Sequence, residues 1–387
     1  MQGIEQAYCN ECIQAVIGAW KALMETTPAE ALKRVRYGKG DTLSLDAIPE
    51  INISERLREF DNHAILVTEE LDSAAKKRWP SDTDPVKQPL MFFSDPTDRS
   101  KQLKKIIEET FSGKPFIKIG ELMAGTDAEA VWENLFEPPA SITGATTSIT
   151  CIRKGSIIFS VMLNYITRTI FVASSIGIFR LRLPSFSDDR LAAIDLSHIV
   201  ASGQTLSFLP AKDICRAPED AKRFVTFLGK SGYRENFEDS MIFVDNPDSF
   251  LHHTEPGGPS RVLYLSELQK DYGPVGFVLA NGEKIGEWMH WLAFVKFAKN
   301  SEGGPLLKVF EISIDRPWTK EGILMSTSPA YSIFSCEENG GYIDLSRLKN
   351  FDHPSRFRSM LVVTPHDNDR IIYIMRQHEY REVGSSL

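Results

Sequence analysis

Residues 147–183 read TSITCIRKGSIIFSVMLNYITRTIFVASSIGIFRLRL, and this run limits the fold more than any other part of the chain. It is rich in Ile, Val, Phe and Thr, the residues that fit a pleated, half-buried surface. The spacing predicts three strands, TSITCIR, SIIFSVMLNYI and TIFVASSIGIFRLRL, joined by tight turns at Lys154-Gly155 and Thr167-Arg168. Strands joined so closely are antiparallel, so a meander is expected at the centre of the first half. The run does not read as a membrane span. Asn164, Thr167, Arg168 and Thr169 interrupt it, where a span needs about 20 predominantly apolar residues.

A sheet needs a cover. IEQAYCNECIQAVIGAWKALM repeats Ile13, Val16, Ile17 and Trp20 at helical spacing, and a second helix is expected over IPEINISERLREF, after GDTLSLDA. AILV reads as a short buried strand leading into Thr68, Glu69 and Glu70. PLMFF reads as another, delivering the chain to a tight turn, SDPTDRS. The helix that follows, KQLKKIIEETF, has Leu103, Ile106, Ile107 and Phe111 on one face. Residues 112–144 read as an insertion with one short helix, AEAVWENLF. The polar segment PSFSDDRLAAIDLSH marks the expected boundary between an N-terminal α+β lobe, 1–185, and a C-terminal α/β lobe, 186–387. In the latter, short strands (RFVTFL, SMIFV) alternate with helical stretches (LYLSELQKDY, EWMHWLAFVKFAKN).

A net charge of −8 argues against a nucleic-acid-coating surface, which draws its affinity from a basic patch. The N-terminus shows no basic segment followed by an apolar one, so no signal peptide is expected. The five cysteines, odd in number and scattered, suggest free thiols in a reducing compartment, hence a cytoplasmic protein. Cys9 and Cys12 form a C-x-x-C without a second pair, so buried thiols are expected there and not zinc. FLGKSGY contains Gly-Lys-Ser, but five residues before Gly229, where a phosphate-binding P-loop needs glycine, stands Phe224. His252 and His253, beside Pro and Gly, read as a surface loop.

Three acidic elements remain. Asp46 lies at a helix start, Glu69 and Glu70 at one strand exit, and Asp95 and Asp98 at another. Each alone is explained by helix capping or a favourable helix dipole. Two such strand exits side by side in one sheet would crowd carboxylates together, which is costly unless a cation neutralises them. Magnesium accepts carboxylate oxygens together with water and substrate phosphate, and the helix starting near Arg99 offers its N–H groups to a phosphate.

The order Asp46, Thr68-Glu69-Glu70, Asp95-Pro96-Thr97-Asp98-Arg99-Ser100 resembles the magnesium-dependent, lithium-sensitive phosphatases of the inositol monophosphatase and fructose-1,6-bisphosphatase superfamily. Their signature is Glu-Glu followed by Asp-Pro-x-Asp-Gly-Thr or -Ser, and the meander resembles the family's strands after that motif. The resemblance covers the first half and weakens after residue 185. It implies a layered α/β/α/β/α sandwich and hydrolysis of a small phosphorylated metabolite. An inositol phosphate, a sugar phosphate or a 3′-phosphonucleotide would qualify, with selectivity in the C-terminal lobe. It also implies two or three magnesium ions, with manganese as an alternative, a homodimer or homotetramer, and no nucleic-acid or membrane partner. By the same resemblance Glu69, Asp95, Asp98 and the Thr97 carbonyl would hold metal. Asp46 and Ser100 would orient the attacking water, with Glu70 behind them among the catalytic groups. Arg99 and Ser100 would bind phosphate.

Two positions depart from that pattern. Arg99 stands where the family has glycine; the expectation is that the backbone there is not left-handed and that the guanidinium contacts phosphate. Met289 follows Trp288 where the inositol branch has aspartate, and Glu287 would supply the last metal ligand instead, as in the fructose branch. These departures sustain an alternative: a non-catalytic binding or regulatory relative with a degraded metal site.

Overall fold

The computed structural model of the chain describes residues 3–37, 42–68, 78–79, 90–111, 113–136, 145–153 and 156–205. In the second half it describes 232–235, 242–245, 277–280, 308–314, 323–329, 334–335, 342–343, 359–364 and 380–382, with Ala293 and Phe297. The chain divides into two compact units. The first is Met1–Leu206 with two short later segments, Phe227–Lys230 and Met289–Phe297; the second is the remainder.

The first unit opens with three helices, α1 (Gly3–Met24), α2 (Pro28–Ala31) and α3 (Ser44–Phe60). Strands β1 (Ile65–Thr68), β2 (Arg78–Trp79) and β3 (Leu90–Asp98) lead to α4 (Ser100–Thr110). Two short helices, α5 (Ile119–Ala124) and α6 (Ala128–Leu135), precede the meander β4 (Thr146–Arg153), β5 (Ser156–Asn164), β6 (Thr169–Ser174) and β7 (Gly177–Arg182). A 3-10 turn (Asp189–Ala193), α7 (Leu196–Ser202) and β8 (Gln204–Thr205) follow. The sheet order is β2-β1-β3-β4-β5-β6-β7-β8. Its neighbours along that path are antiparallel except β1 and β3, which run parallel with Thr68 opposite Ser94.

The α1 residues singled out by spacing, Ile13, Val16, Ile17 and Trp20, are all buried. They share one core with Phe92, Ile149, Phe159 and Val161 of the sheet. Cys9, Cys12 and Cys151 are free thiols in that core, and burial pushes each of them up, away from the thiolate needed for nucleophilic or metal chemistry.

Several expected boundaries move for physical reasons. The second helix starts at Ser44 and not after GDTLSLDA, so Pro49 lies inside it. β3 continues through SDPTD instead of stopping at PLMFF. TIFVASSIGIFRLRL is a hairpin, β6–β7, closed at Gly177 with φ 131°, a backbone state that glycine adopts without strain. Residues 112–144 hold two described helices, not one, and Ile119, Leu122 and Trp132 sit in the core. Within α5, Gly120 packs so closely on Phe186 that a Cβ there would lie 2.5 Å from the ring. The polar segment PSFSDDRLAAIDLSH is bonded to α1: Gln14 Nε2 donates to the carbonyls of Leu191 (3.0 Å) and Ile194 (2.6 Å), and the Leu196 N–H donates to Asn10 Oδ1 (2.9 Å).

The second unit contains a sheet in the order Phe277–Ala280, Ser359–Thr364, Lys308–Ile314, Ile323–Pro329, Tyr380–Glu382, and a separate ribbon of Gly232–Glu235 with Ile242–Asp245. The expected strand SMIFV is the second arm of that ribbon. RFVTFL and LYLSELQKDY lie outside the described residues. Ala293 and Phe297, in EWMHWLAFVKFAKN, are helical and buried. The class is mixed α/β, as read from the sequence. Among the described residues, no helix is long and apolar enough to cross a membrane.

Candidate active site

The SDPTDRS segment is built around a register shift. On β3, Asp95 pairs with Ser148 and Asp98 with Thr146, so three steps on one strand oppose two on the other. The extra residue is a β-bulge. In an unbroken strand, residues three apart face opposite sides of the sheet. Here the two carboxylates stand opposite Ser148 and Thr146, which are two apart and share a face. The bulge therefore brings Asp95 and Asp98 to the same side. Pro96 falls inside it, one of the few places in a sheet where a residue without an N–H is tolerated.

Three contacts hold the bulge. Tyr165, fully buried at the end of the meander's central stretch, donates its hydroxyl to the Pro96 carbonyl at 3.0 Å. Thr147 Oγ1 lies 3.4 Å from the Asp95 carbonyl as donor. Thr97 Oγ1 donates to the Leu45 carbonyl at 3.1 Å. That last acceptor exists because of Pro49. The residue four places after Leu45 would normally take its carbonyl in the helix ladder, and proline has no N–H to do so. Asp46, next to Leu45 in the first turn of α3, is thereby kept close to Thr97.

Electrostatics agree with this grouping. Burial pushes the Tyr165 phenol up; hydrogen bonding with Thr147 and Thr97 opposes the shift, and the Asp95 and Asp46 carboxylates add to it. Tyr165 thus remains a protonated donor within electrostatic reach of two of the acids. The sequence reading missed it, although a phenol beside Asn164 at the end of an apolar run was a usable signal.

Asp95 is 4 % exposed, and Asp98 is half-buried. Asp98 Oδ2 is buried and has no hydrogen-bond donor among the described residues; the same holds for Ser94 Oγ, one residue before Asp95. Buried polar atoms ordinarily have partners, and a carboxylate oxygen without one is costly. Oxygen donors on one face, one of them unfilled, fit a hard cation such as magnesium. Among the described residues no group of three or more His, Cys, Asp and Glu is placed to hold a metal ion. Glu69, Glu70 and Glu287 lie outside the described residues. What the structure does bring together is the pair of strand exits: Thr68, which precedes Glu69, is opposite Ser94, which precedes Asp95.

Arg99 corrects an expectation. Its backbone is left-handed, φ 63° and ψ 36°, and it stands as the N-cap of α4 without a side-chain cap. The chain must turn from strand into helix within this one residue, and glycine would do so without strain. For a residue with a Cβ the left-handed state costs about 1–2 kcal/mol. Ser100 is the first residue of α4. The first helical bond inside α4 is the Leu103 N–H to the Arg99 carbonyl, so the preceding N–H groups of the turn have no partner in the ladder. No acidic side chain occupies that first turn. A helix start of this kind suits an anion.

No family model matches the sequence. No curated protein matches it. Solved structures similar to the chain include inositol monophosphatase family members. CysQ from Bacteroides thetaiotaomicron is similar at 11 % identity and TM-score 0.44, over 79 % of this chain and 88 % of that one. The extragenic suppressor protein suhB from Bartonella henselae is similar at 13 % identity and TM-score 0.43, over 98 % and 100 %. The inositol monophosphatase from Anabaena is similar at 12 % identity and TM-score 0.41, over 96 % of each. These are likenesses in the course of the chain.

Proposed function

We propose that this chain is a divalent-cation-dependent phosphomonoesterase, a divergent relative of the inositol monophosphatase and fructose-1,6-bisphosphatase superfamily. The observation that carries the reading is the bulge, which sets Asp95 and Asp98 on one face with Asp98 Oδ2 unfilled, at the start of a helix whose first N–H groups are available.

Asp95, Asp98 and the Thr97 carbonyl would hold magnesium or manganese, with Glu69 and Glu287 as further ligands and Glu70 behind them. A divalent ion there supplies charge neutralisation and a lowered pKa for water. Ser100 and Asp46 would orient the attacking water toward phosphorus and take its proton. The N–H groups of α4 hold the phosphoryl oxygens as a P–O bond forms to water, the ester P–O bond breaks, and the leaving alkoxide is protonated to an alcohol. The substrate is a small phosphorylated metabolite: an inositol phosphate, a sugar phosphate or bisphosphate, or a 3′-phosphonucleotide. Buried free thiols are consistent with a reducing, cytoplasmic setting.

The test is phosphate release from a panel of such compounds with magnesium, with and without lithium, beside Asp95→Asn. Magnesium-dependent release that disappears in the variant supports the enzyme. The left-handed Arg99 backbone, where the family has glycine, favours a second reading as a non-catalytic relative. Magnesium binding without release from any compound would select that one.

A further inference from the structure

Glu50 is a carboxylate in the interior, 1 % exposed, on the face of α3 one turn after Asp46. Its Oε2 accepts from Thr68 Oγ1 at 3.0 Å, and its Oε1 lies 3.3 Å from the Tyr37 hydroxyl as acceptor. Thr68 is itself buried and is the last residue of β1, directly before Glu69 and opposite Ser94. The same helix is bonded to the other strand exit through Leu45 and Thr97. One rigid element is thus fastened to both exits and carries Asp46 between its two fastenings. An apolar residue would pack in the interior without the desolvation cost of a carboxylate. A carboxylate is worth that cost where its hydrogen bonds fix neighbouring groups.

We infer that Glu50 is a positioning residue that clamps the exit of β1, through Thr68, against the Asp95–Asp98 bulge and so sets the spacing of the metal-binding groups. The inference rests on the phosphatase reading. Outer partners of this kind typically contribute 10–100-fold to metal affinity.

The experiment is Mn2+ titration of the full chain, followed by electron paramagnetic resonance, on wild type, Asp95→Asn, Glu50→Ala, Glu50→Gln and Thr68→Val, with melting temperature measured alongside. Thr68→Val is isosteric and removes only the hydroxyl, so it carries the test even where Glu50→Ala does not fold. The expected result is that Thr68→Val and Glu50→Ala weaken Mn2+ binding by about 10–100-fold. Glu50→Gln, which retains an acceptor for Thr68, recovers most of the loss, and substrate KM at saturating metal is unchanged in the Glu50 and Thr68 variants. A lowered melting temperature with unaltered Mn2+ affinity in Thr68→Val overturns the inference alone. Wild-type protein that binds no Mn2+, or binds it no better than Asp95→Asn, overturns the phosphatase reading and this inference with it.

Discussion

Two arginines in this molecule share a left-handed backbone, Arg99 at φ 63° and Arg168 at φ 55°, and their surroundings differ in an instructive way. Arg168 closes the β5–β6 hairpin, where Asn164 Oδ1 accepts from the N–H groups of Ile166 (2.9 Å) and Thr167 (3.0 Å). The Arg168 carbonyl accepts from the Leu183 N–H at 2.7 Å, and the Thr167 and Thr169 hydroxyls bond each other. That turn satisfies itself. At Arg99 no side chain caps the helix, and the neighbouring Asp98 retains a buried oxygen without a donor among the described residues. Strain alone does not separate turn chemistry from function, because both sites carry it. The polar atoms left over do.

The contrast can be broken by experiment. The largest expected effect is at Asp95: changing it to Asn should cost about 4 kcal/mol of transition-state stabilisation, roughly a 10³-fold loss of magnesium-dependent phosphate release. An equal loss from a change in the hairpin would erase the distinction. Asn164→Ala removes both turn bonds and should lower stability by about 1–3 kcal/mol in denaturant unfolding. Thr97→Val leaves the Leu45 carbonyl unfilled and should cost about 1–2 kcal/mol. In a Pro49→Ala background the restored N–H takes that carbonyl, and the cost of Thr97→Val should shrink by about 1 kcal/mol in a double-mutant cycle. The smallest effects are gains. Arg99→Gly and Arg168→Gly should each stabilise by about 0.5–1 kcal/mol, the relief of strain less the added freedom of the unfolded chain. A smaller gain at Arg99 would show that its side chain contributes contacts there.

How much of this was legible beforehand follows the kind of signal each residue carries. Ile13, Val16, Ile17 and Trp20 disclosed α1, and Leu103, Ile106 and Ile107 disclosed α4, because burial of a stripe is periodic in the sequence. β1 was legible from four apolar residues. The passage of β3 through Pro96 was not, since proline argues against a strand interior and only a bulge makes room for it. The second helix was read over IPEINISERLREF, yet it begins at Ser44 and carries Pro49 inside it. The left-handed state of Arg99 has no signature when glycine is missing. Of the candidate site, the acids at 46, 95 and 98 were readable from order and spacing. Glu50 was not, because its role arises from a contact across 18 residues of chain, and Tyr165, bonded across 69, left only its place beside Asn164 as a signal.

The Leu45 carbonyl, which Pro49 leaves to Thr97, bears on portability. A designer who grafted residues 94–100 onto another strand–helix junction would carry the acids and leave behind what orients them. The transferable unit is discontinuous: it includes a proline in a distant helix whose contribution is a bond that it cannot make, and a phenol from the far end of the meander. Evolution of such a loop is constrained at positions that touch no ligand, and a substitution at residue 49 would register in the site before it registered in the helix.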